Sequence, residues 1–256
     1  MTQYIVGITV IRILSHNVLW FQGYPYEEPL PGPPHAEVVA GLADVYRGLG
    51  PELLCLQETP SPEALRAIGA RLDMRGAFCP GSRQPAYSGG VLWKGSAEVV
   101  RSSQSNGAAP VRFWQVIALQ QGAAPLYVAN VHLASGRHMT SEEAECSRVD
   151  DLHTLLDAEP LPLVIAGDFN EGPGGPAAAY LYGRGYEDAA LLFATDLPST
   201  GIGKARSDQI WLHESARTRA LGFGALSWNA LRGPDVAQVA YLSDHLPLWL
   251  ELRETP

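Results

Sequence analysis

The sequence predicts an α/β domain in which two β-sheets pack together and helices cover them from outside. Three observations carry that expectation. Short apolar runs of strand length recur along the 256 residues. Segments with helical spacing are few and are separated by those strands. Loop formers are plentiful, 26 Gly and 20 Pro, so many turns must join many short elements.

Residues 4–14 are largely apolar and read as a strand with a short extension in front; they lack the basic flank and small-residue cleavage site of a secretory leader. Residues 11–17 form a buried strand ending in Ser15, His16 and Asn17. Residues 20–34 are rich in aromatics and proline and read as a loop. Over 36–49, Val38, Val39, Leu42, Val45, Tyr46 and Leu49 recur at helical spacing, and Gly48 and Gly50 end the pattern. Residues 53–57 are a second apolar strand. Ser61-Pro62-Glu63 is an N-cap followed by an N1 proline, starting a helix to about Leu72.

Strands are then expected at 91–93, 111–119 and 126–133. Thr140-Ser141-Glu142-Glu143 opens a helix to about Leu156 with a capping box. Residues 163–166 form a buried strand and 177–182 a short helix; 209–212, 220–228 and 246–250 read as later strands. The stretch from Gly95 to Asn106 carries no clear pattern.

The charge balance is 18 Lys and Arg against 27 Asp and Glu, a net −9. This argues against a polybasic nucleic-acid binder. It leaves room for a nucleic-acid enzyme, because a bound divalent cation can supply local positive charge. No run of about 18 apolar residues is present to span a membrane. Cys55, Cys79 and Cys146 make no CxxC pair and no disulfide framework, and Cys55 sits in an apolar run as a small buried hydrophobe. The expected compartment is the cytoplasm.

Polar residues gather where the apolar runs end. Asn17 closes the first strand, Gln57-Glu58 the second, and His132 lies near the end of 126–133. Asp168 and Asn170 follow 163–166 within Gly-Asp-Phe-Asn, Asp208 opens the strand at 209–212, and Asp244-His245 precede the last strand. Each has a plainer structural explanation: a solvated turn glutamate, a hydrogen-bonded core histidine, an Asx turn, a backbone cap. Six such positions, each at the end or edge of a different strand, argue for one shared cleft.

The residue types also fit one chemistry. Glu58 and Asp244 are isolated carboxylates of the kind a hard divalent ion uses, and no Cys/His cluster suits structural zinc. Asp168 can orient or deprotonate a water, while Asn17 and Asn170 can donate to a phosphate. His132 and His245 can offer protons or positive charge near neutral pH, and Asp208 beside His245 would fix its tautomer and raise its pKa.

Taken in order, Asn17, Gln57-Glu58, Asn130-x-His132, Gly167-Asp168-Phe169-Asn170, Asp208 and Ser243-Asp244-His245 resemble the motifs of the endonuclease/exonuclease/phosphatase superfamily, the deoxyribonuclease I-like metal-dependent phosphoesterases. The motifs span about residues 12–250, so one catalytic domain over 1–256 is expected. The resemblance implies a four-layer αββα sandwich of two mixed, mainly antiparallel sheets with helices outside and the site at one sheet edge. It implies Mg²⁺ or Mn²⁺ as cofactor, with Glu58 the main ligand and Asn17, Asn170 and Asp244 completing the metal and phosphate contacts. By the same resemblance Asp168 positions the attacking water, His132 and His245 stabilise the pentavalent transition state, and Asp208 supports His245.

The subfamily stays open. Asp168-Phe169-Asn170-Glu171 departs from the leucine-asparagine-tyrosine-arginine pattern of inositol 5-phosphatases, and Gln209 replaces the aromatic that apurinic endonucleases carry after Arg-x-Asp. Gly174 and Gly175 stand where many nucleases of the group place a serine after GDFN-x-x-P.

Other motifs fail. Gly203-Lys204 lacks the Walker spacing, since Pro198 stands five residues before Gly203, and Ser243 adjoins Asp244-His245 too closely in sequence for a triad. On the substrate side, Trp20 and Tyr24 follow the Asn17 strand and either stack on a base, a sugar or a headgroup or belong to a self-packed proline-rich loop, two readings of equal weight. Arg137 and His138, directly after the His132 strand, are candidates for phosphate contact, whereas Arg112 and Trp114 alternate and are expected to face one side of a sheet. The resulting expectation is a divalent-metal-dependent phosphoesterase that hydrolyses a phosphodiester, nucleic acid or nucleotide-like, by in-line attack of an activated water. A phosphomonoesterase or a sphingomyelinase-like phospholipid phosphodiesterase is the alternative; a non-catalytic binding module ranks last, because every expected ligand is present.

Overall fold

Strands covered on both faces read as unbroken apolar runs, and this chain contains several. The computed structural model describes residues 9–26, 31–104, 110–120, 122, 124–203, 205–233 and 239–255. In chain order the elements are β1 (Val10–Asn17), α1 (Ala36–Leu49), β2 (Leu53–Gln57), α2 (Pro62–Leu72), β3 (Arg75–Cys79), β4 (Gly89–Trp93), β5 (Ala97–Ser102), β6 (Phe113–Leu119) and β7 (Leu126–His132). They continue with α3 (Ser141–Leu156), β8 (Val164–Asp168), α4 (Pro176–Gly183), β9 (Tyr186–Asp188), α5 (Ala189–Leu192), β10 (Asp208–His213), β11 (Ala220–Ala225) and β12 (Leu248–Arg253). Short 3₁₀ turns occupy Leu19–Phe21, Glu214–Arg219 and Trp228–Leu231.

The strands form two six-stranded sheets, β11-β12-β1-β2-β4-β3 and β5-β6-β7-β8-β10-β9. Pairing is parallel between β1 and β2 and between β7 and β8, and antiparallel elsewhere. Alternation along each strand sorts the side chains into three apolar layers. Ile11, Ile13, Cys55 and Val91 of the first sheet meet Ile117, Val128, Val164 and Ile210 of the second between the sheets. The opposite faces carry Leu14, Leu54, Leu56 and Leu92 against Val38, Leu42, Tyr46 and Ile68 of α1 and α2. On the far side Val116, Ala129, Ile165 and Trp211 meet Leu152, Leu155, Ala177 and Leu181 of α3 and α4. This is the four-layer αββα sandwich. The caps sit as expected: Ser61 accepts from the Ala64 amide, and Thr140 and Glu143 form the reciprocal box on α3.

The register brings the polar strand ends to one edge. Asn17 lies opposite Gln57, His132 opposite Asp168, and Asp208 opposite Asp168 from the other side. One fully buried polar tie links the sheets just beneath that edge. The Gln57 side chain donates to Asn130 Oδ1 at 2.8 Å, and Asn130 Nδ2 donates to the carbonyls of Leu56 (3.2 Å) and Gly90 (3.0 Å). Leu56 and Gly90 are themselves partners in the β2–β4 ladder, so one amide spans a rung of the opposite sheet.

The sheet margins are irregular. Register shifts interrupt the pairing of β11 between Ala220 and Gly222 and of β5 between Val99 and Arg101, and β9 has three residues. The sequence pattern missed β3, β5 and β9, all at or near a margin. Arg75 and Gly76 are exposed, and a strand covered on one side has no reason to show an apolar run. Several expected boundaries shift: the strand at 220–228 stops at Ala225 before a 3₁₀ turn, β4 starts at Gly89 rather than 91, β6 at Phe113 rather than 111, β8 runs Val164–Asp168 rather than 163–166, and β12 Leu248–Arg253 rather than 246–250. The extension expected before the first strand falls in residues 1–8, outside the described residues. Among the described residues no helix is long and apolar enough to cross a membrane.

Gly167 shows how tightly the edge is built. A Cβ there would lie 1.9 Å from the Val131 carbonyl oxygen of β7. Gly167→Ala therefore forces β7 and β8 apart and is expected to cost about 3 kcal/mol, read as a lowered denaturation midpoint. An alanine variant as stable as the parent would contradict the packing described.

Candidate active site

At the shared strand edge lies a cavity of about 270 Å³ whose walls include Glu58, Arg112, Asp168, Asn170 and His245. Two of these sit just beyond a strand in left-handed backbone, Glu58 one residue past β2 with φ 55° and Asn170 two residues past β8 with φ 51°. Non-glycine residues rarely adopt this conformation, and it turns each side chain out of its sheet's alternation toward the gap between the sheets.

Asp168 is held from both oxygens. Its Oδ1 accepts the Asn170 amide at 2.9 Å, the Asx turn that its sequence also allows. Its Oδ2 accepts Asn17 Nδ2 at 3.1 Å and lies 3.5 Å from His132 Nε2. Asn17 Oδ1 in turn accepts the Leu19 amide, and Asn170 Nδ2 donates to the Leu133 carbonyl, both at 3.1 Å. Asn17 also bonds the Glu58 carboxylate, so its amide serves both acids, whereas Asn170 uses one N–H within the protein and has a second for a ligand.

His245 Nδ1 lies 2.8 Å from Asp208 Oδ2, and Asp244 Oδ1 lies 3.7 Å from Nε2. His245 is fixed from behind as well. Ser243 Oγ accepts its amide and donates to the Asn17 carbonyl, and buried His16, bonded to Tyr46, contacts its carbonyl at 2.9 Å through Nε2. Burial would lower the His245 pKa, but the carboxylates of Asp208 and Asp244 overcome it and hold the ring up to about 10, so it is cationic near neutral pH. Asp168 moves the other way. Burial pushes it up, yet the His132 hydrogen bond and the charges of His245 and Arg112 bring it well below the usual carboxylate range.

His132 differs from the expectation in charge. Burial, reinforced by Arg112, pushes its pKa down to about 3, so it is neutral and brings no positive charge. That charge comes from Arg112, which the sequence reading placed on a sheet face. Arg112 precedes β6 directly, and Phe113 pairs with His132, so the register carries the guanidinium to the site. It contacts His132 Nε2 and packs 3.9 Å from the centroid of the Tyr87 ring. The available signal was this position at the mouth of a strand aligned with His132.

The expected substrate contacts divide. Arg137 lines the cavity. His138 is exposed and bonds the Tyr87 hydroxyl at 2.8 Å, so it reaches the site only through Tyr87. Trp20 corrects the expectation of a stacking surface: it is 3% exposed, its indole N–H donates to the Ala86 carbonyl, and its ring meets Tyr87 edge-on. Left-handed φ values at Leu19, Trp20 and Phe21 turn the chain inward there. Tyr24 is half-buried and lines a separate groove.

A brace went unread. Buried Arg148 of α3 donates to Glu171 at 2.8 Å and to the Ala134 carbonyl at 3.0 Å. Glu171 also accepts the Ala177 amide at 2.8 Å at the start of α4, which fixes the turn carrying Asn170.

For a cation, two groups of donors converge. Single ligand atoms of Asp168, Asp208 and His245 lie within 4.8 Å of one another. His245 is bonded to Asp208 through Nδ1 and held cationic by the surrounding carboxylates, so this trio forms a charge-paired group. The second group is Glu58 with Asn17, which hydrogen-bonds it, and Asp244, whose charge acts on it. Burial pushes Glu58 up to about 7, opposed by Arg112 and assisted by Asp244, which marks a carboxylate short of positive charge.

The family model of the Endonuclease/Exonuclease/phosphatase family matches residues 14–245. No curated protein matches the sequence. Among solved structures, the human Nocturnin catalytic domain with bound sulfate is similar at 18% identity and TM-score 0.67, over 97% of this chain and 98% of that one. The D. rerio TDP2 complex with a single-strand DNA product is similar at 17% identity and TM-score 0.67, over 95% and 98%. An endonuclease/exonuclease/phosphatase family protein from Bacteroides thetaiotaomicron is similar at 14% identity and TM-score 0.69, over 97% and 99%.

Arg112 offsets the carboxylates of Glu58 and Asp168, which gives a pH-dependent expectation. Arg112→Met keeps the bulk and removes the charge, and should cost about 3–5 kcal/mol of stability at about pH 8. Without Arg112 the folded-state pKa of Glu58 rises further above its unfolded value, so the deficit shrinks as pH falls through 7 and the carboxyl takes a proton. Denaturant melts across pH test this; a deficit that does not depend on pH would refute it.

Proposed function

This chain belongs to the endonuclease/exonuclease/phosphatase family, and from that premise we propose that it hydrolyses a phosphodiester, nucleic acid or nucleotide-like, in a divalent-metal-dependent reaction. Members of the family are generally hydrolases of phosphoesters. The observation that carries the reading is the pairing, in one cavity, of an ionised Asp168 with a cationic His245. Two titratable groups pushed to opposite charge states define an acceptor and a donor. That the similar TDP2 structure holds a single-strand DNA product supports the substrate class.

The donor set fits a hard cation. Glu58, Asp168, Asp208 and Asp244 are buried at this edge, and the buried positive charges facing them are Arg112 and His245. An anionic phosphate entering such a site needs further positive charge. Oxygen donors from Glu58, Asp244 and Asn17 suit Mg²⁺ or Mn²⁺. When bound, such an ion polarises the phosphoryl oxygens and neutralises charge on the leaving oxygen.

The chain's own groups supply the rest. Asp168 accepts a hydrogen bond from the attacking water and takes its proton as the water oxygen bonds to phosphorus and the opposite P–O bond breaks, its electron pair leaving with the ester oxygen. The turn formed by the Asn170 amide and the bond from Asn17 hold that carboxylate in one rotamer. His245, oriented by Asp208, donates to a phosphoryl oxygen whose charge grows in the transition state. Arg112, which lines the same cavity, offers a second charge, and the remaining N–H of Asn170 a neutral donor.

Hydrolysis of bis-p-nitrophenyl phosphate and of single-stranded DNA, with Mg²⁺, Mn²⁺ or EDTA, tests the proposal. Activity should vanish in EDTA and return with the metal. Asp168→Asn and His245→Ala should each lower kcat by about a thousandfold while the fold persists. Metal-dependent hydrolysis left intact in either variant means the roles are misassigned, and activity on monoesters alone would overturn the substrate class.

A further inference from the structure

Next to the catalytic loop runs a short strap of chain, residues 199–203. Gly201 bridges His245, the Ile202 amide donates to the Asp244 carbonyl at 2.9 Å, and the Leu246 amide donates to the Thr200 carbonyl at 2.7 Å. This strap also lines a groove of about 370 Å³, whose other walls are Tyr24, Trp228 and Tyr241. The aromatics arrive from separate segments. Tyr24 follows β1, and Trp228 and Tyr241 lie between β11 and β12. The backbones of Tyr24 and Tyr241 pair through bonds of 2.7 and 3.0 Å, and the rings of Trp228 and Tyr241 meet at 5.4 Å and 64°. All three side chains are half-buried, each leaving part of its surface to the groove.

We propose that this groove is a nucleobase subsite, holding the heteroaromatic ring of a nucleotide whose phosphoryl group lies by Asp168 and His245. The inference rests on the reading of that cavity as a phosphoester site and adds the group that flanks the phosphate. Its first support is continuity, since one strap borders the groove and bonds the loop that carries Asp244 and His245. The second is chemistry: aromatic walls stack on any base, and Gly201 and Gly203 present bare backbone to the groove. A Cβ at Gly203 would meet nothing within 4 Å. The third is charge. A chain of net −9 exerts no general attraction on a nucleotide, so affinity has to come from contact. A lipid chain is the poorer occupant, because the large hydrophobics exposed among the described residues, Val10, Tyr182 and Leu191, lie outside the groove.

Two esters with the same leaving group separate the base from the phosphate: thymidine 5′-(p-nitrophenyl phosphate) and methyl p-nitrophenyl phosphate. Trp228→Ala should lower kcat/KM for the thymidine ester roughly five- to hundredfold, mainly through KM, and leave the methyl ester unchanged. Trp228→Phe should retain most of the preference. Equal loss on both esters would show a structural role for Trp228, and no loss on either would show an idle groove; each overturns the proposal. If the parent hydrolyses neither ester, the phosphodiesterase reading fails, and a binding measurement decides the subsite. Thymidine 5′-monophosphate should then quench tryptophan fluorescence in the parent and not in Trp228→Phe, with inorganic phosphate quenching neither; equal quenching in both proteins refutes the subsite.

Discussion

The geometry of the catalytic edge depends on one buried amide. Asn130 reaches from the second sheet to two carbonyls on facing strands of the first and accepts from Gln57 in return. Apolar packing between sheets is non-directional and tolerates sliding, whereas a set of three buried hydrogen bonds is satisfied at one relative position. Leaving these groups unpaired would cost the full desolvation of each, so the sheets lock where the amide fits. Everything above inherits that alignment, because Glu58 follows Gln57 and His132 stands two residues past Asn130.

A second constraint is electrostatic. Four carboxylates are buried at the edge of an otherwise apolar sandwich, and the fold separates their roles by what it places beside each. Asp208 is matched to a cationic imidazole, Asp168 is stabilised by amides and nearby positive charge, and Glu58 is left under-compensated. The neutral His132 follows from the same balance. A buried ring beside Arg112 cannot hold a second positive charge, so the guanidinium supplies it.

The layers and the polar edge were legible in the sequence because both rest on local pattern. The unbroken run Leu53-Leu54-Cys55-Leu56 signals a strand covered on two faces, and acids or amides at strand ends mark a common rim. Arg112, His16 and the Arg148–Glu171 brace were not legible, since each acts through a partner distant in sequence and fixed only by register or helix packing. For Trp20 the structure selects the self-packed loop over the stacking surface, a choice that local pattern left open. An aromatic in a proline-rich loop looks exposed, and only the three left-handed residues at Leu19–Phe21 turn it inward. Tyr24, from the same loop, keeps part of its surface outside.

The irregular sheet margins bear on how copies of this chain meet one another. A long, straight margin offers a row of unpaired amides and carbonyls on which a second molecule can add its own strand, the first step toward aggregation. Here β5 and β11 are each broken by a register shift and β9 is too short to act as a template. Three of the four margins therefore present no continuous ladder, and the polar chemistry at the strand ends stays separate from backbone association at the sides. Among the described residues this leaves β3 as the one margin with an unbroken register, so the opening for strand addition is confined to one side of one sheet.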